Sequence, residues 1–592
     1  MNQPTRLFDI ARHQLLNFAL DDMLSGKENG EWKKYSTQEV INTINSIGAG
    51  LLNAGLEYSN TSTEGRHKIA IISKNRPEWL MVDLAVQQIG AVLTPIYPTI
   101  NVNELEFILR DAEVKIIFVN DDALYDKVLS IKDKLPELKE IISFERLEGV
   151  KHWTEILSND QTLLNRVQSI SETINAEDLA TIIYTSGTTG IPKGVMLSHH
   201  NIVSNVLASI PCFPPGERMK ALSFLPLNHI LERMVSYLYL YTGTSIYYAE
   251  SLETIGDNLK EVHPQLFTTV PRLLEKVYDK IMLKGSELTG VKRKLFFWAH
   301  DVATKYEINK NLGIAYNIKL SIANKLIFKK WREALGGEVK AIVSGGAACQ
   351  VRLIRIFTAA QISILEGYGL TETSPVISVN KWDVKGRKFG TVGPVIQGVE
   401  VKIADDGEIL CKGPNVMMGY YKHPELTDEV MDKGWFKTGD IGMMVDNKFL
   451  KITDRKKELF KTSGGKYVSP LPIESKLKES MYIENAMVIG ADQKYTGALL
   501  VPSYANLKQW CKENNIPFTS DAEVINDTAV IEFYKDLVES FNKYFNNVEQ
   551  IKKFELLPHD WAVESGELTP KLSLKRKVIM EKYRDAVQRI YA

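Results

Sequence analysis

Residues 184–194 read YTSGTTGIPKG, a stretch that gathers the groups a phosphate needs. Gly187 and Gly190 let backbone N–H groups converge on an anion with no Cβ in the way. Thr185, Ser186, Thr188 and Thr189 add hydroxyl donors, and Lys193 adds a mobile positive charge. Before them, Ala180–Tyr184 is apolar and β-branched, which predicts a strand running into the loop. The chemistry is that of a loop wrapped around the polyphosphate of a nucleotide. It is not the common phosphate loop, which needs G-x4-G-K-[ST]. Here the two glycines are too close together, and Lys193 is followed by Gly194.

Two further stretches offer complementary chemistry. In Glu366–Thr373, glycines Gly367 and Gly369 flank Tyr368, whose ring can stack on a base. Thr371 can donate to a phosphate, and Glu372 can hold a hard cation that bridges phosphate oxygens. In Trp435–Asp440, a carboxylate after a tight turn can accept both hydroxyls of a ribose, which gives Asp440 its role. The cluster Lys456, Lys457, Lys461 and Lys466 reads equally as anion contacts or as a solvated face. His229, taken alone, reads as a structural histidine. His199 and His200 are adjacent and cannot share a helix face, so Ser198–Asn201 reads as a helix start rather than a metal site.

The elements that must position these groups follow from periodicity. Ser36–Val40 supplies a helix start, with Ile41, Ile44, Ile47, Leu51 and Leu52 at helical spacing and Gly55 at the end. Lys68–Ser73, Ala91–Tyr97 and Val114–Val119 read as buried strands, and Arg76-Pro77 opens a helix between the first two. Strands alternating with helices predict a parallel α/β sheet. Val339–Ala347 reads as a strand ending in a glycine turn. Residues 273–335 read as one long, mostly helical segment. Within it Leu320, Ala323, Ile327, Trp331 and Ala334 form one stripe. Val392–Pro394 and Gly407–Ile409 belong to a smaller β-rich region, and residues beyond about 458 to a small α/β domain.

At 592 residues the chain exceeds one core, so at least two domains are expected. A net charge of −1 gives no reason to expect nucleic acid. The four scattered cysteines fit a reducing compartment, and the N-terminal residues do not read as a secretory signal, so the expected location is cytoplasmic. No run approaches the length of a spanning helix, so any membrane contact has to be peripheral, at the inner surface. Lys292–Lys294 beside Leu295–Trp298 is the stretch that could rest on an anionic surface.

YTSGTTGIPKG resembles the phosphate-loop signature of the AMP-forming acyl-CoA synthetases, in the adenylating superfamily that includes luciferases and peptide-synthetase adenylation domains. EGYGLTET, WFKTGD and DRKKELFKTSGGK follow in the family's order, and the wording of Asn228–Arg233 and Val270–Lys276 is closest to its long-chain fatty acyl branch. The resemblance implies a fatty acid, ATP and CoA as substrates, Mg2+ as cofactor, and AMP and pyrophosphate as products. It implies a large N-terminal α/β domain, residues 1–455, carrying mixed sheets and a β-rich subdomain, and a mobile C-terminal α/β lid, 456–592. In such enzymes His229 would lie beside the phosphates and the acyl channel. Gly346 and Ala347 would pack on adenine, with Glu366 nearby, and Thr185 and Glu372 would serve the metal. Arg455 would reach the ribose, Lys457 would be the hinge, and Lys461 would count among the cofactor contacts. The Gly464 region would line the pantetheine path after the lid turns. Gly566–Ser573 resembles the loop of the adenylation lysine, which makes Lys571 that residue. Many family members place it there, but several long-chain members have Thr there and Lys two residues later, where this chain has Ser573, so Lys575 is the reserve. Two other readings fit parts of the sequence: an acyl-AMP ligase serving a carrier protein or activating another acid, and a nucleotide-binding protein without turnover.

Overall fold

The computed structural model describes residues 3–56, 65–186, 192–563, 565–569 and 573–592. Two eight-stranded sheets dominate the first part of the chain. In one, parallel strands lie in the order Leu179–Ser186, Val92–Ile96, Lys68–Ile72, Val114–Val119, Glu140–Ser143 and Lys151–His152. Antiparallel strands Pro192–Ser198 and Gly419–Tyr420 extend it past Leu179–Ser186. The strands Lys68–Ile72 and Val92–Ile96 are buried along their whole length, as a sheet covered by helices on both faces requires. The sheet is therefore parallel except at one edge, where Pro192–Ser198 pairs back antiparallel on Leu179–Ser186.

The second sheet runs Val376–Val379, Ser363–Gly369, Ala341–Ser344, Leu266–Thr269, Lys220–Ser223, Ser245–Tyr248, Leu24–Glu28 and Glu31–Tyr35, with only its two end pairs antiparallel. The sheets are tied at their carboxyl ends. Asn75, just past Lys68–Ile72, donates to Leu225 O at 2.7 Å and accepts from Leu227 N–H at 3.0 Å, just past Lys220–Ser223. A five-stranded antiparallel unit spans Glu400–Arg455, and a three-stranded sheet, Ile483–Ile489, Gly497–Pro502 and Lys553–Leu556, centres the last part.

Helix starts follow the sequence. Ser36 and Glu39 form a reciprocal capping box at Thr37–Asn53, the Ser36 hydroxyl accepting from Glu39 N–H at 3.2 Å. Ser198 caps His199–Ser209 in the same way, and the His199 ring packs edge-on against Phe8. Residues 273–335 are not one helix. They fold as Pro271–Ser286, Gly290–Thr304 and Ile314–Ala323, the last continuing through a wide turn, Asn324–Phe328, into Lys329–Ala334. The stripe faces inward at Ala323 and Trp331 but ends before Ala334, which is exposed. In Gly290–Thr304 Phe296 is buried against Trp331, while Phe297 is exposed.

Arg233, at the end of the Asn228–Arg233 motif, is wholly buried and joins layers. Its guanidinium donates to both Asp83 oxygens, at 3.1 and 2.5 Å, and to Thr181 Oγ1 at 2.8 Å. Tyr237 also donates to Asp83. Removing the cation would strand a buried carboxylate, so Arg233→Leu is expected to cost about 3–5 kcal/mol, read by calorimetry as a lower unfolding temperature. An unchanged temperature would show that the cluster adds nothing.

Candidate active site

Glu366 and the glycine turn after Ala341–Ser344 sit side by side because their strands are parallel neighbours, with Ser344 opposite Glu366. Gly346 has φ +82°, a conformation a side chain would strain, and with Ala347 it is exposed at the end of the strand. Glu366 is buried and accepts from Cys349 N–H at 2.9 Å. Burial pushes its carboxyl up to about 7, against the pull of that N–H. Gly369 lies so close to the turn behind it that a Cβ would stand 1.7 Å from Pro375 O. Gly367 and Tyr368 precede it on the same strand, which pairs with Val376–Val379.

Tyr368 reaches the third motif. Its hydroxyl donates to Asp440 Oδ2 at 2.7 Å, and Arg455 Nε lies 3.6 Å from Asp440 Oδ1. Asp440 does not follow a tight turn. It lies within the strand Trp435–Val445, directly opposite Arg455 in the antiparallel pair. Gly439, just before it, has φ +72° and stays within the strand. Burial pushes the Asp440 carboxyl above its ordinary range, and the Arg455 charge and the Tyr368 hydroxyl offset part of that.

The phosphate loop meets the Glu372 stretch through a residue the sequence did not single out. Tyr420 pairs beside Val195 on the returning strand, and its hydroxyl donates to Glu372 Oε1 at 3.0 Å. The Lys193 ammonium lies 5.2 Å from the centre of the same ring. Thr185 sits opposite Lys193 in the hairpin. Thr371, buried, opens the short turn that carries Glu372. Gly187, Thr188, Thr189 and Gly190 lie outside the described residues, as does the Ser186 side chain. The signal for Tyr420 is only its place in GYY, which no spacing rule marks.

His229 caps the helix Ile230–Tyr241, its Nδ1 accepting from Leu231 N–H at 3.1 Å. That helix start adjoins the glycine turn, since a Cβ on Gly345 would meet Leu231 Cδ2 at 2.9 Å. One turn on, Glu232 is wholly buried. Ser223 and Thr268 hydroxyls approach it, but neither carboxylate oxygen has a partner in full hydrogen-bond geometry. Burial pushes this carboxyl up to about 8. The folded protein therefore keeps a proton that the unfolded chain gives up above pH 4.5 or so, and Glu232 costs stability increasingly as pH rises toward 8. Glu232→Gln is expected to raise the unfolding temperature at pH 8, a gain that fades as the pH falls to 5. A gain independent of pH would contradict it.

The connection between the two parts of the chain is pinned on both sides of Lys457. Lys456 pairs with Asp406 at 2.6 Å and Glu408 at 2.7 Å in the β-rich unit. Glu458 pairs with Arg576 at 3.2 Å, which also holds Glu474 at 2.6 Å in the last part. Lys461 is not drawn to the residues above. It lies over the Tyr467 ring of its own hairpin, 5.5 Å from the centroid. The last part also touches the helix Pro271–Ser286, where Arg272 pairs with Glu484 and Lys478 lies 3.7 Å from Glu275. Lys571 lies outside the described residues. Thr569 and Ser573, on either side of it, exchange bonds of 2.8 and 3.2 Å.

Residues 12–421 match the AMP-binding enzyme family, and 458–592 match the AMP-binding enzyme C-terminal domain. The chain belongs to the AMP-binding enzyme family. Its relatives in that family include a long-chain-fatty-acid–CoA ligase, FadD15, of Mycobacterium bovis, 31% identical over 95% of this chain and 93% of that protein. Long-chain-fatty-acid–CoA ligase 5 of Rattus norvegicus is also 31% identical, over 95% of this chain and 85% of its own length. Solved structures with the same fold include the adenylation domain of a carboxylate reductase from Mycobacterium chelonae. It is 20% identical at a TM-score of 0.76, covering 100% of this chain and 92% of that one. The anthranilate CoA ligase AuaEII, solved with anthranoyl-AMP, is 17% identical at 0.72 and covers 99% of both chains. Two proteins whose titles name different enzymes thus share this fold, and the fold alone does not choose the acid.

Proposed function

We propose that the protein activates a long-chain fatty acid to its CoA thioester in two steps, consuming ATP and releasing pyrophosphate and AMP. The observation that carries this reading is likeness along nearly the whole chain to long-chain-fatty-acid–CoA ligases, at 31% identity. A carboxylate is a poor electrophile because its leaving group would be oxide, and transfer of AMP to it supplies a good one. In the first step a carboxylate oxygen attacks the α-phosphorus, and the bond to pyrophosphate breaks. In the second the CoA thiolate attacks the acyl carbon, and AMP leaves.

The nucleotide's base would lie between Tyr368 and the Gly346–Ala347 turn, near Glu366, with Asp440 and Arg455 on the ribose. Thr185, Lys193 and the rest of the phosphate loop would cradle the polyphosphate, and Thr371 would donate at the α-phosphate. His229 heads a helix beside the same turn, where the acid would meet the phosphate. Magnesium fits this donor set: the ion usually takes one or two carboxylates and completes its shell with substrate phosphates, and Glu372 presents one carboxylate, its Oε1 held by the Tyr420 hydroxyl. Glu372, with Thr185 near, would hold it, and it would supply charge neutralisation at the reacting phosphate.

The two steps need different groups at one place. We assign residues 1–455 to the nucleotide- and acyl-binding domain and 456–592 to a lid turning at Lys457, where the chain passes from Lys456, paired into the β-rich unit, to Glu458, paired with Arg576 of the last part. Turning would withdraw Lys571 and bring the Gly464 hairpin to the CoA path. Among the described residues no helix is long and apolar enough to cross a membrane. Fatty acids partition into bilayers, so we infer that this enzyme works in the cytoplasm and meets its acid peripherally, at the inner membrane surface.

The test is AMP formation that depends on ATP, CoA and acid, run over fatty acids from short to long with benzoate as control. A maximum at long chains, with AMP and acyl-CoA in equal amounts, is the expected result. Pyrophosphate release without acyl-CoA would replace this reading with an acyl-AMP ligase. No turnover with any acid would leave a nucleotide-binding protein.

A further inference from the structure

The stripe that packs Ile314–Ala323 and the following turn onto the core leaves its opposite side bare. Ile314, Ile318, Ile322 and Leu326 are 81, 56, 44 and 48% exposed. They recur every four residues. In an α-helix that spacing drifts by about 40° per step, so a long row would wind off one side. Here the wide turn at Asn324–Phe328 advances less per residue and reduces the drift at Leu326. The result is an apolar ridge on the order of 18 Å long.

The ridge lies in a strongly basic segment. Residues 308–332 contain five Lys and one Arg and no Asp or Glu, in a chain whose net charge is −1. Among the described residues Lys310, Lys319, Lys325 and Lys330 show no ion pair, and Lys329 has only a long one of 3.8 Å to Glu333. The neighbouring helix Gly290–Thr304 runs antiparallel. Tyr316 donates to Val302 O near one end, and Trp331 meets Phe296 near the other. The exposed Lys292–Lys294 therefore lies toward the Leu326 end and extends the positive field.

We propose that this ridge is the face by which the protein docks on an anionic lipid surface. The isoleucines enter the headgroup boundary, and the lysines reach lipid phosphates with their stems alongside the chains. A core or protein interface of this size would be expected to lose its charges at the centre; here lysines stand among and beside the apolar side chains, as an interfacial helix requires. Of the stretch Lys292–Trp298, which the sequence marks for membrane contact, Phe296 anchors the helix to the core, while Lys292–Lys294 and Phe297 are exposed. The inference rests on peripheral uptake of a fatty acid and gives it a location on the molecule.

Flotation of the full chain with vesicles tests it, using phosphatidylglycerol mixed equally with phosphatidylcholine, and phosphatidylcholine alone. The wild type is expected to float with the anionic vesicles at low salt, to bind them several-fold more weakly at high salt, and to leave the neutral ones. The double variant Ile318→Ser, Ile322→Ser should bind at least about tenfold more weakly, and so should Lys319→Glu, Lys330→Glu. Both should turn over a short, water-soluble acid as the wild type does. Absence of wild-type binding, or equal binding by both variants, would overturn the proposal. So would a wild-type dimer dissolved by the isoleucine variant, which would make a second copy the occupant. Wild-type failure on every acid from short to long, with vesicle binding intact, would count against the ligase reading and not against the docking face.

Discussion

Replacing Lys571 by Ala is expected to slow acyl-adenylate formation about 100- to 1000-fold while leaving thioester formation from supplied acyl-AMP within about tenfold of wild type. The reason lies in where charge accumulates. The attacking carboxylate and the triphosphate are both anions, and the bridging oxygen takes on further charge as pyrophosphate leaves. A cation aimed at that oxygen lowers this barrier; when the thiolate attacks, charge develops instead on the acyl oxygen and the departing AMP, which Lys571 no longer faces once the lid has turned. The sequence leaves Lys575 as the other choice. Its N–H donates to Glu567 O at 2.8 Å, and it begins the helix Arg576–Lys582. Thr569 and Ser573, by contrast, are bonded to each other and bracket a segment that holds Lys571. Lys575→Ala is accordingly expected to retain most of both rates. The two half-reactions are read separately, as exchange of labelled pyrophosphate into ATP and as CoA-dependent loss of synthetic acyl-AMP. Equal losses in both for Lys571→Ala would contradict the two-position lid, and a selective loss in Lys575→Ala would transfer the role.

What the sequence made legible is what local rules control. The strands beside the phosphate loop are apolar runs of strand length bounded by breakers, and they occur as Leu179–Ser186, Lys68–Ile72, Val92–Ile96 and Val114–Val119. The box Ser36–Glu39 needs only its own turn. The contact of Tyr368 with Asp440 joins residues 72 apart, yet both ends carried a motif, so their convergence was expected. Tyr420 was not legible, because its task depends on a short edge strand pairing with Pro192–Ser198, and a two-residue strand has no period. Arg233 and Asp83 were hidden for a related reason: a charged pair looks like surface until the layers close over it. Residues 273–335 are mostly helical as their period indicates, but that period does not show the breaks at Glu287–Thr289 and Lys305–Gly313. The same period named an inward stripe, and so hid the outward row four residues apart.

Glu372→Gln is expected to lower kcat/KM for adenylation about 100- to 1000-fold and to raise the Mg2+ concentration needed for half-maximal rate. The substitution keeps shape and one acceptor oxygen. The Tyr420 hydroxyl, 3.0 Å from Oε1, can still donate, so packing between the turn and the edge strand survives. What is lost is a negative charge in a half-buried position. A hard divalent cation bound mainly by phosphate oxygens depends on such a carboxylate to choose one coordination mode among several. Tyr420→Phe separates the two contributions. It removes a hydrogen bond worth about 1 kcal/mol, or roughly fivefold in rate, and leaves the charge. Its Mg2+ requirement should stay near that of wild type. Should Glu372→Gln keep its rate within fivefold and its Mg2+ requirement unchanged, the carboxylate would be only a brace for Tyr420, and the positive charge at the α-phosphate would have to come from Lys193 and Lys571 alone. With no more than that fivefold loss in Tyr420→Phe and a steep loss in Glu372→Gln, the hydrogen bond is the brace and the carboxylate the ligand.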